Sequence, residues 1–303
     1  MNVLPSVTAR KGAKARAALG KAFQNYFERK EHLNGSALVQ ARYNHSREYK
    51  VSIPDIAAFE AGGCIATLTN TFPTAYWMLA YVYSHEEVLK DCRAELSTIT
   101  TTKIAENGIT VCSIDMTSIK SSCPVITATL QEVLRHTAVG SSFREVTEDT
   151  IVDGYRLKKG NTFIMPSNIV HTDPNTWGES TKGFDHRRFL KTQEKKSPNP
   201  KAFRAFGGGS TLCPGRHFAT TEILAVATMF IARFDIKAVG SWPSPIPNSA
   251  PLWAQVVQAD LEFEVDVTAR KGLAGKYEWG FHLSESRVVL SMAAEDLEEG
   301  KTE

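Results

Sequence analysis

The feature that most constrains this chain is the segment from Ile56 to Val82, which is apolar almost all the way round and carries Gly62-Gly63 and Pro73 inside it. A surface helix confines its apolar residues to one stripe, so a helix that is apolar on every side must be enclosed by other elements. Thr67, Thr69, Asn70, Thr71 and Thr74 interrupt the run, which keeps it short of the roughly 18–20 unbroken apolar residues of a membrane span. The pattern predicts a buried central helix starting at Ile53-Pro54-Asp55. Pro73 has no amide to donate and predicts a kink.

Composition allows such a helix to be covered. Of 303 residues, 42% are hydrophobic and 22% charged, as in a globular protein with a sizeable core. The length fits one large domain or two ordinary ones. A net charge of +2 gives no reason to expect nucleic acid or an acidic partner. Val7 to Lys30 reads as a basic helix with Leu19, Phe23 and Phe27 at helical spacing. Asn34-Gly35 breaks it, and Ser36 can cap a short helix to about Tyr49. A helix follows His85, with Glu86, Glu87, Lys90, Asp91, Arg93 and Glu95 on its wet face. The Thr- and Ser-rich stretch from Ser97 to Ser122 reads as a loop, and Pro124 to His136 as a helix. From Ser141 the period changes. Thr150 to Leu157, turning at Lys159-Gly160-Asn161 into Thr162 to Met165, reads as a hairpin. A polar loop spans Thr172 to Pro200, a helix runs from Arg216 to about Phe234, and Leu261 to Val267 is strand-like. The acidic end, Glu295 to Glu303, reads as frayed. No repeat is visible.

The five cysteines, Cys64, Cys92, Cys112, Cys123 and Cys213, form no C-x-x-C pair and are odd in number. Neither a disulfide framework nor a zinc knuckle fits, and a reducing compartment does. Cys213 stands apart. It lies in Phe206-Gly207-Gly208-Gly209-Ser210-Thr211-Leu212-Cys213-Pro214-Gly215-Arg216-His217-Phe218-Ala219. Glycines let a backbone turn sharply and approach a flat ligand. A proline just after the cysteine suits the first turn of a helix, and a helix start favours a thiolate. Nearby amides can donate to the sulfur and tune its electron donation. The stretch reads as a thiolate metal ligand; a buried structural cysteine is the plainer alternative.

The fourteen-residue string resembles the cysteine-ligand loop of the cytochrome P450 family. Three further features resemble that family in its order. Glu132-Val133-Leu134-Arg135 resembles its Glu-x-x-Arg helix; Phe184 to Phe189 resembles its loop ending in Arg-Phe; and His171-Thr172-Asp173-Pro174 with Trp177 resembles the segment between. The resemblance implies a mainly α fold with small β-sheets. It covers nearly the whole chain as one partial domain, with a helical region at 1–140 and a haem-binding, β-containing region at 141–303. It implies haem b with an axial thiolate from Cys213, and cofactor contacts from Arg144, Phe206, Gly207, Gly209, Gly215 and Ala219. It also implies a buried Glu132–Arg135–Arg188 network. Where the family often has a basic partner for a haem propionate, two residues before the cysteine, this chain has Thr211.

Ala66 to Trp77 resembles the family's long helix over the haem. Where most members carry an acid and a threonine for proton delivery, this chain has Thr69 and Asn70; an amide hydrogen-bonds but does not titrate. The resulting Asn-x-x-Pro is similar to the branch containing prostacyclin synthase and the sterol hydroxylases of bile-acid synthesis. The resemblance implies monooxygenation of an apolar sterol-like, terpenoid or polyketide molecule, with Asn70 and Thr69 organising water. Electrons would come from an NADPH-dependent reductase docking near Lys201 and Arg204. The alternatives are a haem-thiolate isomerase or dehydratase of an oxygenated lipid, and an inactive truncated haem-binding remnant. The family usually extends much further at its N-terminus, so the chain is expected to be a truncated form. A full-length member would sit on the endoplasmic reticulum membrane facing the cytosol; this chain alone reads as soluble and intracellular.

Overall fold

Local chemistry fixes most of the helix boundaries. The structure is a computed structural model that describes residues 9–190, 198–245, 255–258, 262–271, 277–284, 292, 293 and 296. These fall into two compact units, residues 1–69 and 70–303.

In the first unit, α1 (Arg10–Glu28) is followed by a 3-10 turn at Glu31–Asn34 and by α2 (Ala37–Glu48). Ser36 caps α2 by accepting from the Val39 amide at 3.4 Å. A small core gathers Phe27, Ile56 and Ala57 with Phe23, Tyr26 and Tyr43. The buried His32 ring lies 3.9 Å from the Tyr43 ring. Helix α3 (Ile53–Ser84) gives its first part to this unit. There the expectation of full burial fails: Phe59, Ile65 and Leu68 are exposed, because no described side chain of the unit packs over them. Helical structure continues through Pro73 to Ser84.

The second unit holds the main core. Met78 of α3 packs with Leu96 of α4 (Glu86–Ile99), Ile126 and Leu130 of α6 (Pro124–Thr137), and Ile223, Leu224 and Ile231 of α9 (Arg216–Arg233). The links between these helices are polar. Glu95 accepts from the Val125 and Ile126 amides at 2.8 and 2.9 Å, satisfying two orphan donors at the start of α6. Arg93 pairs with Asp235 at 2.7 Å just beyond the end of α9.

The stretch expected to be a loop, 97–122, contains an antiparallel hairpin of β1 (Thr100–Ile104) and β2 (Thr110–Asp115), then a short α5 (Ser118–Ser122). Its tight turn uses Asn107-Gly108, with Gly108 at φ +78°; an Asn-Gly pair is a strong hairpin signal. Strand β9 (Tyr277–His282) adds to β2 in parallel. The second predicted hairpin is paired differently. Asp153-Gly154, both at positive φ, close a tight turn between β4 (Thr150–Val152) and β5 (Tyr155–Leu157). The strand β6 (Thr162–Pro166) instead pairs with β3 (Ser141–Glu145). A short helix, α7 (Ser167–His171), precedes the expected polar loop, and a second, α8 (Pro174–Trp177), interrupts it. After α9, β7 (Phe234–Ala238) pairs with β8 (Val265–Ala269), so the predicted strand at 261–267 lies slightly further on. The whole is mainly helical with small sheets, as the resemblance implied.

Candidate functional site

Behind the site is a saturated ionic network. Glu132 and Arg135 share one face of α6. Arg135 donates through Nε and Nη2 to the Glu132 oxygens at 2.9 and 2.8 Å, and Arg188 Nε donates to both at 3.1 Å. The Asp185 amide donates to Glu132 Oε1 at 3.0 Å. The two guanidinium groups also donate to the carbonyls of His171, Thr181, Trp177, Ser180 and Gly183. Burial alone would raise the Glu132 pKa, but hydrogen bonds from Arg135 and His136 and the charges of both arginines hold it at about 2. His171 is fully buried. Its Nε2 accepts from the Arg204 amide at 2.9 Å, and burial, reinforced by Arg135, lowers its pKa to about 4. His171 thus ties the end of α7 to the main chain at Arg204. A cavity of about 230 Å³ has Arg135, His136, Asn168, Thr172 and Thr181 in its wall and none of the Cys213 loop.

In front of the network, residues 204–215 form the loop that presents Cys213. The Gly207 amide donates to Arg204 O and the Cys213 amide to Phe206 O, both at 3.0 Å. Gly207 stands at φ +80°, and a Cβ there would come 3.2 Å from Thr211 O, so a side chain is disfavoured twice over. Gly209 is also left-handed, at φ +59°. Gly215 precedes α9, and a Cβ on it would lie 3.8 Å from Cys213 Sγ. Phe206 packs on the main core, Ala219 is half-buried on the first turns of α9, and Cys213 is half-buried with a free thiol. Arg144 of β3 reaches this loop, donating through Nη2 to Thr211 Oγ1 at 2.7 Å and Gly208 O at 3.2 Å.

Asn70 lies elsewhere in the same unit. Its Oδ1 accepts from the Gln255 amide at 3.2 Å. Thr69 belongs to the first unit and donates its hydroxyl to Ile65 O at 2.8 Å. Among the described hydrogen bonds none joins either residue directly to the Cys213 loop. Lys201 is exposed and Arg204 half-buried.

Sequence reading missed one anchor. Asp296, in the segment expected to fray, is a buried carboxylate that accepts from Arg216 Nε and Nη2 at 2.7 and 2.5 Å and from the Met292 and Ala293 amides at 2.7 and 3.0 Å. Burial opposes its ionisation, but Arg216 and these amides keep its carboxyl below the usual range. A lone aspartate among glutamates carried no signal that could have found it. The rest of that acidic end lies outside the described residues.

The donor set decides what Cys213 can hold. Among the described residues no three His, Cys, Asp or Glu side chains gather to hold an ion. A planar macrocycle would bring the remaining ligands of a metal held by Cys213. A half-exposed thiol at a helix start, glycines that leave room beside it and an arginine against the same loop suit haem iron. Fold and site together fit a haem-thiolate protein.

Comparison with known proteins agrees. The cytochrome P450 family model matches residues 4–266, and the chain belongs to that family. It is similar to the cytochrome P450 monooxygenase nodJ of Hypoxylon pulicicidum, 34% identical over 94% of this chain and 57% of that protein. It is also similar to cytochrome P450 7B1 of Mus musculus, 29% identical over 71% of this chain and 44% of the relative. A 25-hydroxycholesterol 7-alpha-hydroxylase of Rattus norvegicus is 27% identical over 75% of this chain and 58% of its own. The chain thus spans about half the length of these relatives. The last agrees with the resemblance to the sterol-hydroxylase branch.

Proposed function

We propose that this chain carries the haem-binding part of a cytochrome P450 monooxygenase that hydroxylates an apolar small molecule, of sterol-like, terpenoid or polyketide type. The observation that carries the reading is the free, half-buried Cys213 thiol, set by the Gly207 and Gly209 turns at the start of α9. Haem, when bound, supplies an iron at which a thiolate ligand favours O–O cleavage. The chain's own residues do the rest. Cys213 would hold the iron through its sulfur, and Phe206, Gly207, Gly209, Gly215 and Ala219 would line the cofactor. Arg144, whose guanidinium is oriented by Thr211 Oγ1, pairs with a propionate. Asn70 orients water or substrate through its Nδ2, because an amide N–H facing the side chain requires the oxygen on that side. Thr69 assists from the preceding position.

Electrons come from an NADPH-dependent reductase, with Lys201 and Arg204 as contact candidates. A full-length form would sit on the endoplasmic reticulum membrane; no helix among the described residues is long and apolar enough to cross one. The second reading, an isomerase or dehydratase of an oxygenated lipid, is favoured by Asn70, which offers an amide where a proton-delivering acid is the rule. Turnover that needs neither NADPH nor reductase would select it.

The test is optical. Purified protein supplied with haem, reduced and exposed to carbon monoxide, is expected to give a thiolate-type difference band that Cys213→Ser abolishes. Loss of the band with the fold intact supports the reading. A band that survives the substitution, or wild-type protein that takes up no haem and shows none, defeats it and points to the inactive remnant.

A further inference from the structure

The start of α9 is tied to a residue 80 positions further along the chain. Asp296 gives each of its carboxylate oxygens a separate task. Its Oδ2 accepts from the Met292 and Ala293 amides at 2.7 and 3.0 Å, which fixes the carboxylate on its own segment. Its Oδ1 accepts from Arg216 Nε and Nη2 at 2.7 and 2.5 Å. The ion pair is enclosed: the Asp296 side chain is 2% exposed and that of Arg216 10%. His217 Nε2 stands 3.4 Å from the same Oδ1.

The other edge of the guanidinium meets the thiol-bearing residue itself. Arg216 Nη1 donates to Cys213 O at 3.4 Å, and the Arg216 amide donates to the same carbonyl at 3.4 Å. The guanidinium is a rigid plane, so pinning one edge on a carboxylate also aims the other. Bond lengths then keep it within about 8 Å of Cys213 Sγ. At that range inside a protein, one unit charge shifts an equilibrium at the sulfur by on the order of tenfold. An uncancelled cation there would draw negative charge on the sulfur toward itself and away from a metal. Asp296 cancels it from 2.5 Å.

We propose that Asp296 is a positioning residue for the Cys213 ligand: it holds the Arg216 guanidinium on the Cys213 carbonyl and cancels its charge, so that the sulfur keeps its electron donation to iron. The inference rests on the haem-thiolate reading above. Arg216 carries the effect, and Asp296 acts through it.

The readout is the midpoint potential of the iron in the holoprotein, followed by haem absorbance during a reductive titration at one pH. Asp296→Asn keeps the size of the side chain and an oxygen for the tail amides, but leaves the Arg216 charge standing. It should favour the reduced iron about tenfold, a rise of about 59 mV for one electron. Arg216→Gln leaves the carboxylate standing and should lower the potential by a similar amount. The double variant carries neither charge and should return to within about threefold of wild type. A latch that only stabilised the fold would give neither opposite signs nor this restoration. Potentials that stay put in both single variants, that move in the same direction, or that are not restored in the double variant overturn the proposal. Should Asp296→Asn not fold, Arg216→Gln decides alone, and the absence of a fall overturns it. A wild-type protein whose reduced carbon-monoxide complex lacks the thiolate-type band is a different failure: it removes the haem-thiolate reading, and this proposal with it.

Discussion

The Glu132 network and the Cys213 loop belong to one compact unit but are built on opposite principles. In the network every polar atom of the glutamate is engaged, and the three side chains are between 0% and 5% exposed. Around Cys213 the main chain turns on two left-handed glycines and a few amide bonds, and Pro214 and Phe218 face outward. Charge is spent on fixing the frame, while the reactive sulfur stays open. A ligand loop needs room and approach; the scaffold behind it needs to leave no alternative arrangement.

The largest effect that can break this contrast is removal of Glu132. Glu132→Ala leaves two buried guanidinium groups facing each other, and a loss of about 3–5 kcal/mol is expected from urea unfolding. A loss under about 1 kcal/mol would mean the network is not buried as described. Acid should come next. The depressed pKa of His171, about 4 against 6.5, means the unfolded chain binds the proton more readily. Stability is therefore lost as pH falls from 6.5 to about 4, by roughly 3 kcal/mol. Glu132, held at about 2 against 4.5, extends the loss below pH 4.5 with the same sign. A urea midpoint that stays flat from pH 7.5 to 4 would contradict the His171 assignment, and one flat from pH 4.5 to 2 that of Glu132. The smallest effect belongs to the loop. Arg144→Leu should change stability by at most about 1 kcal/mol, since its hydrogen bonds are solvent-accessible, yet haem should transfer faster to an acceptor protein. Unchanged transfer would remove Arg144 from the cofactor site.

Much of this frame was legible because it rests on local chemistry. The helices at 37–48, 86–99, 124–137 and 216–233 follow from caps, periodicity and prolines. The Cys213 loop was visible because glycines at left-handed positions and a cysteine before a helix leave a dense local record. What failed was pairing. The Thr-rich stretch at 97–122 hid a hairpin whose Asn107-Gly108 signal was present but unread, and Asp153-Gly154 closed a tighter hairpin than expected. The Asp296 anchor and the bond between Asn70 and Gln255 depend on residues far apart in the chain, where periodicity carries no information.

The two arginines also limit what the chain can become. Each is a flat fork that meets a carboxylate while serving main-chain carbonyls from a stretch with little regular structure of its own. An ammonium group offers charge without a plane and has only three hydrogens to share. Lysine is therefore no substitute at Arg135 or Arg188, and a lineage that lost either would have to re-route the meander from 171 to 189 rather than exchange one cation for its nearest chemical neighbour.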